Sequence, residues 1–370
     1  MITRVVHLIN GLGKGGAETM LYNILKYHSD NAPKYTVISL GLSHYYEELI
    51  EELGFDLIVL DIRRNPIKSI MQIRDVLDES DILCCWMYIS NLIGYLVGKR
   101  KVYKLIWCIR HSDLSLKLNS KKTLIINRIC AHLSSGVDVI AYNGNNAEAV
   151  HKKAGYSPKR EKVVDNGLDL TKYHKCLCMG SVLRKELGIG SDFKIILSVT
   201  KNHPIKDIPT FIKAFSLIKC VRDDVKAVMC GSGVTDDDGI IRRLCLEYNI
   251  SIGIDIFLLG FRDDVEILMN GADVFVLHSA GEAFPNTLIQ AMACGVPIVT
   301  TNVGDAKTIV GDSEFVVDPG DYVDMSKKIN KLLNMDCEEI NQMTRIAMKR
   351  VEEKYDIRRI VSIYEELYEE

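Results

Sequence analysis

The feature that most narrows what this chain can fold into is a repeated unit. A short, uninterrupted apolar run is followed by a glycine-bearing turn and then by apolar residues at helical spacing. Arg4–Ile9 leads into Asn10-Gly11-Leu12-Gly13-Lys14-Gly15-Gly16, after which Met20, Leu21, Ile24 and Leu25 fall in helical register. Tyr35–Leu40, Leu57–Leu60, Ile82–Trp86, Lys104–Ile109 and Val137–Ala141 continue the series, which ends near Lys162–Leu168. A second series runs through Lys194–Val199, Val225–Cys230, Ile256–Leu259, Val274–Leu277 and Ile298–Thr300. Strands apolar on both faces, alternating with helices, predict parallel sheets covered on both sides. Between the series, residues up to about Leu187 lack strand character and read as an interdomain linker. A chain of 370 residues exceeds what one hydrophobic core ordinarily serves. Two α/β domains are therefore expected, 1–170 and 171–354, with ligands at the carboxyl ends of the strands and in a cleft between them.

Charge is distributed unevenly. Residues 1–165 hold 22 Lys and Arg against 17 Asp and Glu, whereas residues 166–370 hold 24 against 32. The basic excess gathers in Lys99, Arg100, Lys101, Lys104, Arg110, Lys117, Lys121, Lys122 and Arg128, with Asp113 the one acid among them. Such a stretch attracts phosphates or an anionic membrane surface, or is a solvated face. No basic helix with an aromatic platform accompanies it, so nucleic acid is not an expected partner. Eleven cysteines without CxxC spacing fit a reducing compartment and a cytoplasmic location. The chain opens directly on a strand pattern with no signal peptide. The longest uncharged run, Ile82–Gly98, reads as a buried strand followed by a helix.

Three segments carry chemistry. Gly11–Gly16 matches GxGxxG formally, and its backbone admits a phosphate at a helix start. The second strand ends Ser39-Leu40-Gly41-Leu42, with no carboxylate for a ribose, which argues against a nicotinamide-dependent oxidoreductase. Lys201 and Lys206 lie five apart after a strand, where two cations suit a diphosphate. Glu282-Ala283-Phe284-Pro285-Asn286-Thr287 places one carboxylate and a rigid turn before a helix that starts near Asn286 or Thr287, with Gln290 one turn further in. Asp236-Asp237-Asp238 imitates a metal-binding acidic motif but lies in a polar stretch and reads as a solvated loop.

These pieces in this order resemble glycosyltransferase family 4 of the GT-B fold over essentially the whole chain. They are Gly15-Gly16-Ala17-Glu18, Asp165-Asn166-Gly167-Leu168-Asp169, Lys201 with Lys206, Glu282–Asn286 through Gly295-Val296-Pro297, and Thr301–Asp305. The wording is similar to enzymes of bacterial O-antigen and capsular polysaccharide synthesis. The resemblance implies two Rossmann-like domains facing across a cleft, with the terminal helix 355–370 packing back on the first. It also implies retaining transfer from a nucleotide diphosphate sugar, with UDP the expected nucleotide, without metal or other cofactor. The implied acceptor is a glycan, lipid-linked through a polyprenyl diphosphate, with peripheral contact to the anionic inner face of the cytoplasmic membrane. By position, Gly15 and Gly16 would border the diphosphate, Lys201 and Lys206 neutralise it, and Glu282 hold the donor sugar. Backbone N–H groups of Phe284, Asn286 and Thr287, beside Ala283 and Pro285, would complete the site, and His111 would be the active-site histidine. Two positions depart from the family pattern. Lys201 stands where Arg is usual, a point charge in place of a planar fork. Gln290 stands where a second glutamate usually holds the ribose, so a charge-assisted bond is lost. A sugar-nucleotide epimerase or phosphorylase shares the layout and would make product without acceptor; a non-catalytic binding protein would give no turnover.

Overall fold

In the computed structural model, described over residues 3–43, 45–98, 102, 104–116, 119–311 and 314–369, the chain divides into two units. Met1–Gly167 joins Ile357–Glu370 in the first, and Leu168–Asp356 forms the second. In the first unit β1 (Arg4–Ile9), β2 (Lys34–Ser39), β3 (Asp56–Val59), β4 (Ile82–Trp86), β5 (Lys104–Ile109), β6 (Val139–Tyr142) and β7 (Arg160–Val163) make one sheet. Its spatial order is β3-β2-β1-β4-β5-β6-β7, with every pairing parallel. Val5 and Ile9 of β1 enter one core while Val6 and Leu8 enter the other, so the strand is apolar on both faces because both are covered.

The second unit holds β8 (Lys194–Val199), β9 (Val225–Cys230), β10 (Ile256–Leu258), β11 (Val274–Leu277), β12 (Ile298–Thr301) and β13 (Val316–Val317), in the order β10-β9-β8-β11-β12-β13. Every pairing is again parallel. Ile195 and Leu197 face one core and Ile196 the other.

The terminal helix Ile357–Glu369 is built on one stripe: Ile357, Ile360, Val361, Tyr364, Leu367 and Tyr368 are buried in the first unit's core. Each such burial stabilises by about 1.5–3 kcal/mol. Lys104 Nζ fastens its end by donating to the Leu367 carbonyl at 2.7 Å. The run Ile82–Gly98 is indeed strand then helix, Met87–Gly98 following β4. No helix of the described residues is long and apolar enough to cross a membrane.

Three elements depart from expectation. The segment read as a linker carries the helix Leu177–Leu187, whose one buried residue is Leu183. An apolar stripe that narrow leaves no periodic signal. β7 reads Arg-Glu-Lys-Val and pairs only with β6, so an edge position explains its polarity. β13 is two residues long, below the length at which alternation is visible.

Candidate functional site

β8 and β11 are neighbours at the centre of the second sheet, with β9 outside one and β12 outside the other. At such a switch point the loops after the two strands part and leave a crevice at the carboxyl ends. Thr200–Asp207 follows β8, and His278–Pro285 follows β11.

The loop after β8 is fixed at both ends of a single helical turn, Pro204–Lys206. His203 Nδ1 accepts from the Ile205 N–H at 3.3 Å, and Asp207, at φ +49°, caps the helix Ile208–Lys219. Asp207 also accepts from the Thr210 hydroxyl at 2.7 Å. Lys206 therefore sits between two caps, and its ammonium donates to Glu282 Oε1. The Ser279 hydroxyl donates to the same oxygen at 2.7 Å. The side chains of Lys206 and Glu282 retain 23% and 13% of their exposure, so the pair is largely desolvated yet reachable. The Ala280 N–H donates to the Ile205 carbonyl at 2.8 Å, binding the two loops a second time.

The remaining loop residues divide between anchoring and presenting. Phe284 is buried in the core, its ring edge-on to Tyr355 at 5.7 Å, and this pins the turn. Pro285 is the N-cap of the helix Asn286–Ala293 and offers no side-chain cap. Gln290 follows in that helix, half-buried. Behind the loop, Gly304 takes φ +52°, and a Cβ there would lie 2.4 Å from the Glu282 carbonyl oxygen and 2.5 Å from that of Ala283. Only glycine admits that approach. The Asp305 N–H then reaches the Ala283 carbonyl at 3.2 Å.

Lys201 is exposed and does not join the Lys206–Glu282 pair. Its loop is held by Asn202, whose N–H donates to the Ser232 carbonyl at 2.8 Å and whose amide donates to Asp238 at 2.6 Å. Asp238 also caps the helix Gly239–Glu247, accepting from Ile240 and Ile241. The reading of Asp236-Asp237-Asp238 as wholly solvated is thus corrected: Asp236 and Asp237 are exposed, while Asp238 is a structural clamp. No group of three or more His, Cys, Asp or Glu among the described residues is arranged to hold a metal ion.

The other expected residues lie in the first unit. Gly15 is the N-cap of the helix Gly16–Lys26, and its carbonyl accepts from the Thr19 hydroxyl at 2.8 Å. The Glu18 carboxylate lies over Gly15, close enough that a Cβ there would meet it at 2.3 Å. His111 follows β5, and its Nε2 donates to Asn119 Oδ1 at 2.9 Å, since the Asn119 amide nitrogen is turned to the Asp113 carbonyl. Sequence reasoning missed its neighbour Arg110. That guanidinium lies 5.0 Å over the Trp86 ring and donates to Asn166 and to the Tyr364 hydroxyl, tying β5 to the terminal helix. His278 and Ser198 were missed as well; a lone polar residue closing an apolar strand is too common a signal to single out.

Comparison with known proteins adds the decisive observation. Residues 181–350 match the family model described as glycosyl transferases group 1. The matched stretch lies within the second unit and includes every donor-site residue named above from that unit. The chain is 31% identical over 188 residues to N-acetyl-alpha-D-glucosaminyl L-malate synthase of Bacillus anthracis, covering 50% of this chain and 48% of that one. The chain thus spans about half the length of that relative. It is 24% identical over 331 residues, 83% of each, to a Campylobacter jejuni enzyme. That enzyme is named N-acetylgalactosamine-N,N'-diacetylbacillosaminyl-diphospho-undecaprenol 4-alpha-N-acetylgalactosaminyltransferase. Among solved structures, Anabaena HepE in complex with UDP and glucose superposes with a TM-score of 0.84 at 20% identity, covering 99% of both chains. The chain therefore has the GT-B fold.

Proposed function

We propose that this protein is a retaining glycosyltransferase that moves a sugar from a UDP-sugar to a lipid-linked glycan in bacterial surface polysaccharide synthesis. The observation that carries the reading is the Lys206–Glu282 pair at the β8/β11 switch point, next to an uncapped helix start at Asn286. A departing nucleoside diphosphate gains negative charge as the anomeric C–O bond breaks. Fixed cations and helix N–H donors in a partly dry crevice stabilise that charge more than the ground state. Lys206 and Lys201 meet the phosphates, helped by the N–H groups of Phe284, Asn286 and Thr287. Glu282 accepts from the hydroxyls of the donor sugar, and Gln290 takes the ribose. The acceptor hydroxyl attacks from the face the diphosphate leaves; the new C–O bond forms as the old one breaks, and a phosphate oxygen takes the proton. His111 lies on the acceptor side.

UDP is favoured because the Anabaena structure is described with UDP and glucose. A polyprenyl diphosphate acceptor is favoured because the Campylobacter relative's name carries diphospho-undecaprenol. With such an acceptor the protein works at the cytoplasmic leaflet, resting there on its basic first unit. The test is a panel of sugar nucleotides offered with polyprenyl-diphosphate glycans, with products weighed by mass spectrometry. A mass increase of one sugar residue on the acceptor is expected. Product without acceptor would point to an epimerase or phosphorylase, and no turnover of any donor would overturn the reading.

A further inference from the structure

His278 is the first residue after β11, and its side chain is buried. Both ring nitrogens are engaged. Nδ1 lies 2.6 Å from the Lys206 carbonyl oxygen, and Nε2 lies 2.7 Å from the Ser198 hydroxyl in β8. A carbonyl only accepts, so Nδ1 carries the proton; Nε2 of the neutral ring then accepts from Ser198. Burial holds the ring neutral, its pKa lowered to about 4. The Phe211 ring, 5.2 Å away between centroids, packs against the imidazole. The ring spans from one central strand to the other and ends on the backbone of the residue whose ammonium meets Glu282.

We infer that His278 is a positioning residue for the donor site: by donating from Nδ1 to the Lys206 carbonyl it fixes the turn that aims the Lys206 ammonium at Glu282 and at the leaving diphosphate. This rests on the function proposed above. The Lys206 turn is only three residues long, Pro204–Lys206. Its other links to the β11 loop include the Ile205–Ala280 backbone bond and the ion pair itself. A diphosphate draws the ammonium away from Glu282, and the ion pair no longer orients the turn. The imidazole bond does not depend on the ligand and keeps the turn in place when the charge it carries is in use.

The test uses the different reach of two amides. The amide nitrogen of Asn falls about where Nδ1 of His lies, and that of Gln about where Nε2 lies. H278N therefore keeps the bond to Lys206 and loses Ser198, and H278Q does the reverse. With the full-length protein and UDP-glucose hydrolysis or transfer as readout, H278N is expected to keep kcat within about threefold of wild type. H278Q is expected to lose about tenfold or more in kcat with KM changed less than about threefold. Thermal midpoints of the two variants should be alike. Equal kcat in the two, or kcat that merely follows the midpoints, would make His278 structural only and overturn the inference. Crystal structures of both variants supply a reading independent of activity. Lys206 should leave Glu282 in H278Q and stay in H278N, and an unchanged ion pair in H278Q would refute the role. Should wild type turn over no sugar nucleotide, the proposed function fails, while the crystal comparison still decides what His278 does.

Discussion

Lys206 and Glu282 neutralise one another in the protein as it stands, and under the proposed function a ligand diphosphate has to compete for the ammonium. Part of the electrostatic gain on binding is therefore spent in separating them, and the carboxylate released in that exchange becomes an acceptor for sugar hydroxyls. The same logic makes Gln290 informative. Half-buried one turn into the helix behind this pair, it offers a neutral amide where relatives of the resembled family usually carry a carboxylate. A ribose hydroxyl donates more strongly to a carboxylate than to an amide. Q290E should tighten UDP binding by about 1 kcal/mol, roughly fivefold, in calorimetry. Unchanged affinity would place Gln290 away from the nucleotide. Lys206, Glu282 and the helix start were legible in the sequence because charged or turn-forming residues directly after apolar strands are visible as such. Arg110, Ser198 and His278 were not, since what marks them is a partner many residues away: Tyr364, His278 and Lys206 respectively.

The helix Lys121–Leu133 is the element on which the proposed membrane contact would rest. Ser120 caps it by accepting from the Thr123 N–H at 3.1 Å. Ile125 and Ile129 are 61% and 42% exposed, beside exposed Lys121, Lys122 and Arg128. Leu124 and Ile126 of the same helix are half-buried, and Ile126 packs against the core. Lys99, Arg100, Lys101 and Lys117 of the basic stretch lie outside the described residues. If the protein meets the membrane as proposed, one exposed apolar pair with flanking cations predicts shallow, salt-sensitive adsorption rather than insertion. Sedimentation with vesicles containing anionic lipid should therefore capture the protein at low salt and release it as salt rises, with I125S/I129S binding more weakly. Absence of binding to anionic vesicles at low salt would contradict this. Strands were the most legible elements, because both faces of central strands are apolar. The helix Leu177–Leu187 and edge strands β7 and β13 were hidden because little of each is buried.

At the scale of the molecule, the buried histidines His7, His151 and His278 among the described residues set a common response to acid. Burial lowers His7 to about 3, His151 to about 4 and His278 to about 4. Unfolded, each titrates near its ordinary value of about 6.5. The folded state favours the neutral ring, so the unfolded chain binds more protons below that value and stability falls with pH. The contribution is complete above about pH 6.5 and is lost progressively as pH drops toward 4. The carboxyls of Asp224 and Asp264, held low by hydrogen bonds from Arg222 and Arg262, lose their contribution only at lower pH. The thermal midpoint should therefore decline already between pH 6.5 and 4.5, and a flat midpoint over that range would contradict the burial of these rings. The two-sheet architecture followed from the alternation of apolar runs alone, and the return of the last helix to the first unit followed from the family resemblance. The measurement that tests the central claim most directly is kcat for sugar transfer from a UDP-sugar in K206A, with folding checked by its thermal midpoint. A loss of about a hundredfold or more in a folded protein is expected, as for removal of a charge-stabilising donor in other enzymes. A rate near that of wild type would show that the Lys206 ammonium does not carry the charge of the leaving diphosphate.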